Sequence, residues 1–147
     1  MATAIADQVV LVTGGARGLG ASISRAFLAQ GARVVVNYRR SAESAQAFVT
    51  EFGRERAFAV RADVTVESDV VDMIEAARDH FDAPVTTVVN NALVDFVFDG
   101  DARASVDTIG WDAFDQQFRG SVRGALNTTK AVLAGMKEAG VGRIVKI

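Results

Sequence analysis

The stretch from Val9 to Gly20, VVLVTGGARGLG, limits what this chain can fold into more than any other. An apolar run rich in valine meets Thr13, glycines fall at positions 14, 15, 18 and 20, and AlaSerIleSerArgAlaPheLeu continues as a helical pattern. That order of residue types describes a buried strand, a tight turn with little side-chain bulk and the start of a helix packed close to the strand. The free N–H groups of the first helical turn, together with the positive end of the helix dipole, favour an anion above the strand. A diphosphate is the natural guest. Gly14, Gly18 and Gly20 are spaced G-x-x-x-G-x-G and no Gly-Lys-Ser/Thr follows, which excludes a P-loop. By itself such a turn is only moderately specific.

The rest of the chain repeats the alternation. A first helix is expected from about Gly18 to Gln30, with Gly31 as its stop, and ArgValValValAsn from Arg33 as a second strand. Ser41 can cap a helix running to about Phe52 and ended by Gly53. Residues 57–60 form a third strand leading into ArgAlaAspVal, and Glu67 to His80 a helix with Val70, Val71, Ile74 and Ala77 as its apolar stripe. Pro84 precedes a fourth strand that ends at Asn90, Asn91 and Ala92. Residues 93–110 make one long connection, Trp111 to about Ala139 a long helix, and ArgIleValLysIle a fifth strand. Strands alternating with helices imply βαβ units, a parallel sheet of about five strands in the order 3-2-1-4-5, and one α/β domain over residues 1–147.

Composition removes other classes. The 147 residues carry a net charge of −2, which leaves no electrostatic footprint for nucleic acid or an anionic membrane. No cysteine is present, which removes disulfide and thiolate chemistry and agrees with a reducing compartment. No apolar run approaches the roughly 18 residues of a membrane helix, and the N-terminus lacks a basic region before an apolar one, so a cytoplasmic location is expected. Asp99 and Asp101 flank Gly100 without a twelve-position calcium pattern, and no metal site is expected. His80 reads as a surface helix cap, and Trp111, Phe114 and Phe118, at helical spacing, as core or an oligomer face.

Thr13 with Gly14, Gly18 and Gly20 resembles the TGxxxGxG turn of the short-chain dehydrogenase/reductase family. Further stretches fall where that family's pattern expects them: NYRRS from Asn37, ADV from Ala62, NNA from Asn90 and GRIV from Gly142. The resemblance covers the chain from about residue 5 and looks most like the classical branch that includes 3-oxoacyl-carrier-protein reductase-like enzymes. It implies a Rossmann-type three-layer fold, incomplete at its C-terminal side, and cofactor contacts from Gly14, Arg17, Gly18, Leu19 and Gly20. An acidic residue at the end of the second strand would accept the ribose hydroxyls of NAD and repel a 2′-phosphate, whereas Asn37 is neutral and Arg39 and Arg40 follow. NADP is therefore expected over NAD, although two arginines also suit a solvated turn. By resemblance Arg39 reaches the phosphate, with Asn37, Arg40 and Ser41 nearby. Asp63 is placed to accept from an adenine amino group and Val64 to pack along the base, an ordinary Asp turn before a helix being the alternative. Asn90, Asn91 and Ala92 match the family's NNAG, which lies along the adenosine ribose, but Leu93 stands where the glycine belongs.

In the family a Tyr-x-x-x-Lys pair and a serine act on the substrate. The only tyrosine here is Tyr38, residue 42 is Ala, and the serine would follow the fifth strand, where Ile147 stands. A fourth family residue, an Asn in the long helix, aligns with Ser121, the one catalytic candidate. A hydroxyl there can bond a carbonyl or a water but does not replace the amide. The resemblance implies an NADP(H)-dependent oxidoreductase reducing a small-molecule carbonyl substrate, with a 3-oxoacyl compound as one class, bordered by Leu93, Phe96, Val97 and Phe98. The 147 residues alone are expected to be inactive. The reading from another class is a non-catalytic NADP-binding or assembly module; a methyl-transfer domain is disfavoured by Thr13. Because the family continues with two more strands and two helices, Ile144, Val145 and Ile147 are expected on an unpaired apolar edge that needs cover. The helix 111–139 is expected to form a homo-oligomer.

Overall fold

A computed structural model describes residues 3–94 and 104–147. The strands are β1 (Val9–Val12), β2 (Arg33–Tyr38), β3 (Ala57–Arg61), β4 (Thr87–Asn90) and β5 (Arg143–Lys146). The helices are α1 (Gly18–Ala29), α2 (Ala42–Phe52), α3 (Glu67–Phe81), α4 (Trp111–Phe118) and α5 (Gly124–Ala139), and a short 3₁₀ turn, Ile5–Asp7, precedes β1. All strand pairings are parallel and the sheet order is β3-β2-β1-β4-β5, as the alternating pattern predicts.

The valine-rich runs become central strands because both faces of this sheet are covered. Side chains alternate across the sheet, so Val9 and Leu11 join Val35 and Val88 on one face, where Val70, Met73 and Ala77 of α3 and Val132 and Met136 of α5 close over them. Val10 and Val12 join Val34, Val36 and Val89 on the other face, beneath Leu28 of α1 and Ala45 and Phe48 of α2. Each fully buried branched side chain contributes about 1.5–3 kcal/mol, which makes this double-sided core the main force fixing the strand ends on which the site is built.

One local expectation is refined and three are corrected. The helix expected over 111–139 is one continuous helical run, but not α-helical throughout: α4 passes into a π-helical stretch, Arg119–Arg123, before α5 begins. On α3 the buried stripe is Val70, Met73, Ala77 and Phe81, with Val71 turned outward, because a 3.6-residue repeat starting at Val70 returns at 73 and 77 rather than at 71. Ser41 occupies the N-cap position of α2 but makes no side-chain cap hydrogen bond. His80 is no surface cap: its ring stacks on Phe58 at 4.3 Å and meets Phe81 edge-on, and its Nε2 lies 2.6 Å from the carbonyl oxygen of Arg54. Asp82, at φ +48°, ends α3 instead. Trp111, Phe114 and Phe118 are 77%, 56% and 63% exposed, which rules out the core as their place and leaves a surface face.

Candidate functional site

The strand order reverses at β1, whose neighbours β2 and β4 leave in opposite directions, and in a parallel α/β sheet the crevice at such a point, outside the carboxyl ends of the strands, is where ligands bind. Thr13, immediately past β1, ties this crevice together. Its Oγ1 accepts the N–H groups of Asn91 and Ala92, each at 3.0 Å, and its backbone N–H donates to the Val89 carbonyl at 3.0 Å. The Asn91 side-chain amide donates to the Thr13 carbonyl at 3.0 Å and to the Gly14 carbonyl at 3.3 Å. The TGG and NNA segments are therefore one hydrogen-bonded unit, and Asn91 is a brace within it.

The turn leaves the mouth of α1 open. Arg17 at the N-cap is exposed and makes no side-chain cap hydrogen bond, so no side chain of that residue fills the place of an anion at the first turn. Gly14 and Gly18 adopt φ of +62° and +51°, and Leu19 is exposed beside them. A Cβ at Gly20 would stand 2.2 Å from the Gly14 carbonyl oxygen, so only glycine lets the helix start this close to the strand end. Bare amides, a positive dipole end and a concavity that side chains would fill make a cradle suited to a diphosphate.

The far wall comes from β2 and β3. Asn37 is buried; its Oδ1 accepts the Gly14 N–H at 3.2 Å and its Nδ2 donates to the Ala62 carbonyl at 3.1 Å. Asn37, expected as a ligand contact, thus holds the glycine turn against the end of β3. Arg39 and Asp63 face one another past the ends of β2 and β3, with Nη1 and Oδ2 3.3 Å apart. Asp63 Oδ1 accepts the Thr65 N–H at 2.9 Å and its hydroxyl at 2.7 Å. Burial pushes the Asp63 carboxyl up, but the Thr65 hydrogen bonds and the Arg39 guanidinium outweigh it and hold the group below the usual aspartate value. Asp63 is thus a turn-forming residue and an ion-pair partner at once. Arg40 is exposed and Ser41 half-buried on the same rim.

The third wall is the π-helical stretch, a geometry found often at functional sites. Ser121 lies on it and lines a small cleft with Thr13, Val64, Asn90, Ala92, Gly120, Gly124, Ala125 and Lys146. Asn90 reaches into the same region; its Oδ1 accepts the Thr128 hydroxyl at 2.7 Å, while its buried Nδ2 has no hydrogen-bond partner among the described residues. Val64 is buried against Gly124, and its carbonyl accepts the Asn127 side-chain amide at 2.9 Å. Asn127, Thr128 and Ser24, whose hydroxyl donates to the Gly15 carbonyl at 3.0 Å, escaped the sequence reading. Isolated polar residues on helices give no motif, and only their burial marks them as struts.

Leu93 is exposed just past the NNA turn. Phe96, Val97, Phe98, Asp99 and Asp101, considered above for substrate or metal contact, lie outside the described residues. No group of three or more metal-ligating side chains occurs among the described residues. None of the described helices is long and apolar enough to cross a membrane.

The family profile described as short chain dehydrogenase matches residues 8–147. The chain belongs to the short chain dehydrogenase family. It is 34% identical over 153 residues to the NADPH-dependent aldehyde reductase-like protein, chloroplastic, of Arabidopsis thaliana, covering 96% of this chain and 55% of that protein. It is 42% identical over 93 residues to the 3-oxoacyl-[acyl-carrier-protein] reductase of a Synechocystis species, covering 61% of this chain and 37% of that one. Its fold superposes on the crystal structure of 3-ketoacyl-(acyl-carrier-protein) reductase from Brucella melitensis complexed with NADH, with a TM-score of 0.79 and 30% identity over 92% of this chain and 53% of the other. The chain spans about half the length of the full relatives it matches. Membership in the family and the three-walled crevice at β1 agree: the matched region includes the glycine turn, the NNA brace and the π-helical wall.

Proposed function

We propose that this chain forms the dinucleotide-binding part of an NADP(H)-dependent oxidoreductase that reduces a carbonyl group, 3-oxoacyl compounds being one substrate class. The observation that carries the reading is the uncapped mouth of α1, reached through a glycine turn where the sheet order reverses. The amides of the α1 first turn hold the diphosphate, with Arg17 and Leu19 at the rim. Arg39, with Arg40 and Ser41 beside it, meets the 2′-phosphate, and the last residues of β2 itself, Asn37 and Tyr38, carry no carboxylate. Asp63 and Val64 border the adenine, and Asn90 and Ala92 line the passage toward Ser121. When bound, the nicotinamide supplies the hydride. Ser121 contributes a hydroxyl on the π-helical wall, a group able to hydrogen-bond a carbonyl or a water. The names of relatives that carry NADPH, aldehyde reductase and 3-oxoacyl reductase support this reading.

A fluorescence titration of the chain with NADPH and NADH tests it, with NADPH expected to bind tighter. A folded chain indifferent to both at millimolar concentration would overturn it. No Tyr-x-x-x-Lys occurs in the 147 residues, so this chain by itself is expected to show no carbonyl reduction at an ordinary enzymatic rate. We also propose self-association through the face carrying Trp111, Phe114 and Phe118.

A further inference from the structure

Arg39 and Asp63 are the two side chains assigned above to the 2′-phosphate and the adenine, and in the structure they are bonded to each other. Their side chains are only 28% and 26% exposed, and they project from neighbouring strands whose last residues, Tyr38 and Arg61, are in register. Asp63 is held at three points: Oδ1 by the N–H and hydroxyl of Thr65, and its own N–H by Asp69 Oδ2 at 3.0 Å. The Arg39 carbonyl accepts Arg61 Nε at 3.3 Å, and the Arg39 guanidinium stands at the end of a long side chain.

We infer that Asp63 is an internal competitor for Arg39, and that the strength of this ion pair sets how strongly the site prefers a 2′-phosphorylated dinucleotide over an unphosphorylated one. The inference rests on the dinucleotide reading above. A ligand with a 2′-phosphate draws the guanidinium from Asp63 Oδ2 to its own oxygens. The phosphate is a stronger acceptor and carries about −1.5 to −2 charge, so the exchange is favourable overall. It is still opposed by the lost pair and by Asp63, left negative beside the phosphate. A ligand with a free 2′-hydroxyl offers no such anion and leaves Arg39 on Asp63. The carboxylate therefore lowers affinity for the phosphorylated ligand selectively.

The test uses 2′,5′-ADP and 5′-ADP as probes, measured by calorimetry on the 147-residue chain. The unmodified chain is expected to bind 2′,5′-ADP more tightly. Asp63→Asn keeps an acceptor for Thr65 and an acceptor for an adenine amino group but removes the charge. It is expected to tighten 2′,5′-ADP about two- to fivefold, the range of a partly exposed pair, and to change 5′-ADP less than twofold. Asp63→Ser, whose hydroxyl can accept from the same turn N–H, serves as a second variant should the first fold poorly. With Arg39→Ala in place, the gain from Asp63→Asn is expected to shrink. If Asp63→Asn and Asp63→Ser leave the ratio of the two affinities unchanged, or weaken 2′,5′-ADP, the competition is wrong while the dinucleotide reading stands. If the unmodified chain binds neither probe nor NADPH, the reading itself falls and the inference with it.

Discussion

Thr13 joins more of the site than its size suggests. Its hydroxyl oxygen is the acceptor for two successive backbone N–H groups, those of Asn91 and Ala92, at the point where β1 and β4 deliver their loops to the crevice. Thr13→Val preserves shape and leaves both donors without that acceptor. The expected cost is about 1–3 kcal/mol, read as a lower urea midpoint, with Thr13→Ser recovering most of it. An unchanged midpoint for the valine variant would show that the node carries little. Gly20→Ala tests a different kind of contact. Its Cβ would press on the Gly14 carbonyl, so the helix start must move away from the strand. NADPH affinity is expected to fall at least tenfold, alongside a destabilisation of about 1–3 kcal/mol. Asp63 adds a pH dependence whose sign follows from its lowered folded value. Its contribution to stability is fully present above the ordinary aspartate value of about 3.9 and is lost as pH falls through the lower folded one. Urea midpoints followed downward from about pH 4 should drop less for Asp63→Asn than for the parent chain. Parallel profiles would remove Asp63 as the cause.

At the level of elements, the strands were legible because a parallel sheet covered on both faces selects short runs dominated by β-branched residues, and VVLV, RVVVN and VTTVV are such runs. The glycine turn was legible because a missing Cβ is written directly in the sequence. The π-helical stretch was not, since Arg119–Arg123 is flanked by α-helical residues and no proline marks it. Its cause is tertiary. A Cβ at Gly120 would come within 2.7 Å of Val94 Cγ2, and one at Gly124 within 2.8 Å of Val64 Cγ2, so the backbone is drawn against two loops that the sequence does not show to be near. The inward turn of Asn37 was hidden for a similar reason, because its partners, Gly14 and Ala62, come from other elements. Gly120→Ala and Gly124→Ala are expected to cost about 1–3 kcal/mol each, although alanine favours an isolated helix by about 1 kcal/mol. A rise in stability by thermal melting would show that the helix, rather than the packing, decides the segment.

For the whole molecule, the unbalanced feature is an apolar face that the described residues leave uncovered. Trp111, Phe114, Phe118, Val122, Leu126 and Leu133 are all exposed along the helical run from α4 through α5. Steps of four residues overshoot an α turn of 3.6, and the wider i→i+5 bonding of the π-helical stretch takes up the excess, so Phe118, Val122 and Leu126 stay on one side. Aromatic side chains bury about 150–250 Å² each, and so many on one face exceed what scattered surface residues would explain. The β5 end adds Ile144, Val145 and Ile147, also exposed, at a strand that among the described residues pairs with β4 alone. Two separate surfaces thus ask for cover, and they can be told apart. Charging the helical face by Trp111→Arg with Phe118→Arg leaves the sheet untouched. It is expected to convert an assembly seen by light scattering into a smaller species with an unchanged far-ultraviolet spectrum. In the unmodified chain Trp111 emission should be blue-shifted relative to that of a solvated indole. A monomeric parent chain with solvent-like Trp111 emission would sink the helical interface, whereas an assembly that survives both charges would move the contact to the β5 edge.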